Sequence, residues 1–123
     1  MLRRTSTAIL FALALGLVAT AAQAHPRLQS ATPSPNSMAM VAPDAIRMTF
    51  SEGLIGRFTG VSVTQGHGKR VATGRAMLDP SDNTKLIVRI KSRLKAGTYN
   101  VAWHAVSVDT HRVSGNYTFM VMH

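Results

Sequence analysis

The sequence has 123 residues, with 14 lysines and arginines against five acidic residues and no cysteine. One domain is the expectation at this length, and without cysteine a disulfide framework, an iron–sulfur or zinc-thiolate site and a His2Cys blue-copper centre are excluded. Hydrophobic content of 46% with only 15% charged residues sets aside a coiled coil and a disordered tail.

The chain opens on an address. Arg3 and Arg4 form a cationic start, Ala8 to Ala22 is almost wholly apolar, and Ala22-Gln23-Ala24 is a small-x-small cleavage signal. The competing reading is an uncleaved anchor, but the apolar run is short of the roughly 20 residues a membrane helix needs. Thr5-Ser6-Thr7 stands where a twin-arginine signal favours bulky apolar residues, so the export route stays open. Cleavage after Ala24 leaves 99 residues starting at His25 and lowers the formal charge from +9 to +7. An exported protein does not meet genomic DNA. Its basic surface would face anionic lipid, a partner or solvent, and no nucleic-acid partner is expected.

His25 is the first informative residue, because cleavage would give it a free α-amine beside its imidazole. Both can close a chelate ring on one metal ion. Pro26 has no backbone N–H, so Cu2+ cannot wrap itself in successive amide nitrogens. The bland alternative is a frayed, solvated end.

Strand signals follow in order. A short strand is expected around Leu28, then an extended turn at Thr32-Pro33-Ser34-Pro35-Asn36. Ile46, Met48 and Phe50 alternate with Arg47 and Thr49, and Val61 and Val63 with Ser62 and Thr64. Gly66-His67-Gly68 reads as a flexible tip and Asp79-Pro80-Ser81-Asp82-Asn83 as a turn. Leu86, Val88 and Ile90 share one face, and Lys95-Ala96-Gly97 is the next turn. Tyr99, Val101 and Trp103 alternate with Asn100 and Ala102, and Tyr117, Phe119 and Val121 share a face near the end. Period-2 patterning puts one face on a core. About seven short strands predict an all-β, antiparallel β-sandwich with Greek-key wiring, with a small closed barrel as the rival.

Asp109-Thr110-His111 adds a second candidate. In extended chain residues i and i+2 project to one side, so carboxylate and imidazole would converge; the alternative is an exposed polar corner in which Asp supports a turn. With His25 the set becomes three nitrogens and one oxygen, which suits tetragonal Cu(II). Zinc could use the same atoms.

Taken together these residues resemble the CopC family of periplasmic copper-binding proteins. The marks are His25-Pro26, Leu28 through Ser30-Ala31-Thr32-Pro33, Phe50-Ser51-Glu52, and Ala96-Gly97-Thr98-Tyr99 with Val101 and Trp103. Ala105-Val106-Ser107, Asp109-Thr110-His111 and Ser114-Gly115 complete them. The resemblance implies a seven-stranded sandwich of cupredoxin-like or immunoglobulin-like form with a Cu(II) site at one end. His25, Asp109 and His111 would be the ligands, Glu52 would stand behind them, and Trp103 would pack beneath. It also implies a monomeric role in copper resistance, sequestering Cu(II) and passing it to a CopD-type membrane protein.

One departure stands out. The stretch from Val63 to Met77, where many relatives bind Cu(I) through a methionine-rich loop, retains only His67 and Met77 and adds Lys69, Arg70 and Arg75. A Cu(II)-only member is the expectation. Met38 with Met40, and Met120 with Met122, could form a makeshift Cu(I) site, but packing or plain exposure is the expected use. His104 and His123 are not expected to be ligands. An enzyme is not expected, for no nucleophile–base–orienter set is present. The alternatives are a histidine-brace copper monooxygenase, which His25 and a second imidazole would suit, and a basic lipid-surface module.

Overall fold

A computed structural model of the chain describes residues 25–123; the expected leader over residues 1–24 lies outside the described residues. Alternation decides the layers. Ile46, Met48 and Phe50 point inward from one strand, Leu86 and Val88 from a second, and Val101, Phe119 and Val121 meet them from the opposite side, all buried. Arg47, Lys85 and Arg89, at the alternate positions, stay exposed.

Eight strands carry this core: β1 (Leu28–Thr32), β2 (Ser37–Ala39), β3 (Ala45–Phe50), β4 (Gly60–Gln65), β5 (Met77–Asp79), β6 (Asp82–Arg89), β7 (Gly97–Val106) and β8 (Arg112–Val121). They form two four-stranded sheets, in the orders β1-β3-β6-β5 and β2-β8-β7-β4. The β-sandwich expected from patterning is therefore the fold, and the closed barrel is not. Two details differ from expectation. The strand count is eight, because β2 and β5 are three residues each, too short to show a period. β2 also pairs parallel to β8, with Ser37 opposite Phe119 and Met38 opposite Met120; all other named strand pairs are antiparallel.

Aromatic contacts join neighbouring strands of the second sheet, Tyr99 of β7 with Phe119 of β8, and cross between the sheets, Phe50 of β3 with Trp103 of β7. Tyr99 stacks on Phe119 at 5.5 Å and donates its hydroxyl to the Lys95 carbonyl. Trp103 meets Phe50 edge-on at 5.2 Å and is half-buried at the margin of the core. Among the described residues the one helical element is a 3-10 turn at Gly56–Phe58, and no helix is long and apolar enough to cross a membrane.

Candidate metal centre

The tip between β7 and β8 is built around Ser107, which is fully buried. Its amide donates to the His111 carbonyl at 2.9 Å, and its carbonyl accepts from the Thr110 amide at 2.8 Å. This is a three-residue hairpin loop, a turn closed by one residue in the left-handed region. Thr110 takes that position with φ of 72°, which a β-branched residue adopts only under strain.

That turn, rather than an extended strand, brings Asp109 and His111 together. Oδ1 of Asp109 accepts the Ser107 hydroxyl and lies 3.0 Å from Nδ1 of His111. The Ser107 hydroxyl oxygen also accepts the His111 amide at 3.2 Å. The Ser107 hydroxyl first, and the His111 side chain second, hold the Asp109 carboxyl below the usual carboxylate range. The Asp109–His111 approach is close but poorly aligned for a hydrogen bond. It leaves Nδ1 of His111 buried without a full partner, which fits an imidazole waiting for a ligand.

His25 arrives from the other sheet. Pro26 is buried, and the Arg27 amide donates to the Ser51 hydroxyl oxygen at 2.9 Å while its carbonyl accepts the Ser51 amide at 2.8 Å. Ser51 also reaches the His25 carbonyl at 3.5 Å. Held by these contacts, the His25 ring meets His111 edge-on with centroids 4.8 Å apart.

Of the four expected site residues, the fold brings His25 to His111 and Asp109 to His111. Glu52 sits at the same end, between Ser51 and Gly53, whose carbonyl accepts the Val108 amide. No hydrogen bond or ion pair joins its carboxylate to another described residue. No three His, Asp or Glu side chains form a ready cage among the described residues. A third nitrogen would have to come from the His25 amine, which exists only after cleavage. Ser51 and Ser107 lacked an assigned role in the sequence; their proximity to Glu52 and Asp109 was the available signal. A groove of about 650 Å3 on the outer face of the first sheet, among Arg47, Lys85 and Arg89, shares none of these residues.

Fold and site together define a class: a two-sheet β-sandwich that brings one imidazole from the approach to β1 and one from the foot of β8 to the same end. Residues 28–122 match the CopC domain. The chain is 38% identical over 120 residues to protein YobA of Escherichia coli strain K12, covering 95% of this chain and 97% of that one. It is 39% identical over 126 residues to copper resistance protein C of Pseudomonas syringae pv. tomato, covering 98% of each. The crystal structure of PcoC, a methionine-rich copper resistance protein from Escherichia coli, superposes with a TM-score of 0.72 at 39% identity, over 80% of this chain and 99% of that one. The chain belongs to the CopC family.

Proposed function

We propose that this chain is exported to the periplasm, cut after Ala24, and binds Cu(II) for copper resistance or homeostasis. The observation that carries the reading is the meeting of the His25 and His111 rings at 4.8 Å, from the segments that lead into β1 of one sheet and β8 of the other. The relatives named for copper resistance support it.

Copper is the cargo, and the action is chelation without turnover. The amine and imidazole of His25, the imidazole of His111 and the Asp109 carboxylate supply three nitrogens and an oxygen, a donor set suited to Cu(II). Oδ1 of Asp109 already stands 3.0 Å from Nδ1 of His111, and Glu52 adds a carboxylate at the same end. The Val63–Met77 loop, at the opposite end of β4 and β7 from His111, brings no thioether cluster, so that loop offers Cu(I) no site and the histidine end takes Cu(II). The protein acts as a monomer and hands copper to a CopD-type membrane partner.

Electron paramagnetic resonance of the copper-loaded mature protein is expected to report three coordinated nitrogens. One glycine placed before His25 is expected to abolish that signal and most of the affinity, because the amine moves away from the imidazole. An unchanged spectrum in the extended protein would overturn the reading.

A further inference from the structure

Outside the histidine pair, the exposed methionines form the feature that stability explains least. Met38, Met40, Met120 and Met122 are 60%, 65%, 40% and 40% exposed, whereas Met48 is buried in the core. Packing does not account for them.

The ladder gathers all four. Met38 and Met120 are partners in the parallel β2–β8 pairing, so their side chains leave the same face. Phe119 and Val121 turn into the core on either side of Met120, which sends Met120 and Met122 outward together. The Met122 amide donates to the Ala39 carbonyl at 2.9 Å. That bond extends the ladder one rung and sets Met40 beside Met122. Paired strands lie about 4.8 Å apart and same-face residues about 6.6 Å apart along a strand. Four side chains rooted on such a quadrilateral, each long and freely rotating, can bring their sulfurs to one point.

The outward-facing ladder neighbours are neutral. Across the ladder, Met120 faces Thr98, and the next outward pair is Thr118 with Asn100; none carries charge. By contrast, the Val63–Met77 loop presents Lys69, Arg70 and Arg75.

Thioethers are soft donors that select Cu(I) over harder ions. We propose that Met38, Met40, Met120 and Met122 form a Cu(I) site on the outer face of the β2–β8 pair. Expecting Cu(II) alone from the depleted loop then holds for that loop and not for the chain. Met120 lies nine residue steps along the chain from His111, about 30 Å at strand rise, so the two sites stand at opposite ends of β8. The methionine site needs neither leader cleavage nor His25, and stands or falls independently of the Cu(II) reading.

Protein with isotope-labelled methionine methyls, titrated anaerobically with Ag(I) as a redox-inert stand-in, provides the test. The four patch methyls are expected to shift and saturate at one equivalent, while Met48 and Met77 stay put. In competition with bicinchoninate, Met38→Leu with Met120→Leu is expected to weaken Cu(I) binding at least about tenfold. His111→Ala and the glycine-extended protein are expected to bind Cu(I) as before. Leucine at these exposed positions leaves the core untouched, and an unchanged melting curve confirms it. Equal Cu(I) affinity in the double leucine variant, methyl shifts centred on Met77, or loss of binding with His111→Ala would each overturn the proposal.

Discussion

Ser107 and Thr110 shape the proposed metal end without being counted as ligands. The buried Ser107 hydroxyl oxygen meets both the Asp109 carboxylate and the His111 amide. Ser107→Ala strands that amide and frees the carboxylate. We expect a loss of about 1–3 kcal/mol of stability and a 10- to 100-fold drop in Cu(II) affinity, the usual cost of losing a group that orients a ligand, read by competition titration. Thr110 at φ of 72° is strained; Thr110→Gly is expected to stabilise the chain by about 1 kcal/mol in urea denaturation. The buried Tyr117 hydroxyl lacks a partner among the described residues, and burial pushes it up to about 12. Below the unfolded value of about 10 both states keep the proton; above it the unfolded state releases it first. Stability should therefore fall between about pH 10 and 12, and Tyr117→Phe should remove that part of the fall in a denaturation series.

At the scale of elements, two glycines show how ring mobility sets the cost of a close approach. A Cβ on Gly115 would lie 2.7 Å from Cζ2 of Trp103, its partner across the β7–β8 ladder, and one on Gly60 would lie 2.5 Å from Cε1 of His104. Trp103 is wedged against Phe50, whereas His104 is exposed and free to swing. Gly115→Ala is thus expected to cost about 1–3 kcal/mol, and Gly60→Ala much less, by thermal denaturation. The same ladders show which elements could be read in advance. β3, β6, β7 and β8 were legible because each alternates against one buried face. β2 and β5 were not, since three residues hold too little pattern, and nothing local in Ser37-Met38-Ala39 announces a parallel partner near the other terminus. The candidate site could be named from residue type, because His25 follows an expected cleavage signal and Asp109 stands two residues from His111. Its geometry was not legible: the left-handed turn at Thr110 and the Ser51 anchor on Arg27 are tertiary facts.

For the whole molecule, charge and metal act on the same balance. Asp79, Asp82 and Asp109 are held below the usual carboxylate range by hydrogen bonds from Ser81, Thr84 and Ser107, in that order. A depressed folded value gives stability that is present above about pH 4 and lost as the pH falls through the folded value; a denaturation series followed by circular dichroism should show stability declining over that range. Copper should add to stability by mass action, since it binds the folded chain. A rise in melting temperature with Cu(II) is expected for the mature protein and not for the glycine-extended one. The two imidazoles belong to opposite layers, His25 leading into β1 and His111 opening β8. An ion gripped by both would act as a clasp across the open rim of the sandwich. Prying the layers apart would then first require surrendering the metal, so cargo release and loosening of the seam become one event, and a docking partner that lifts the leading segment off Ser51 would empty the protein.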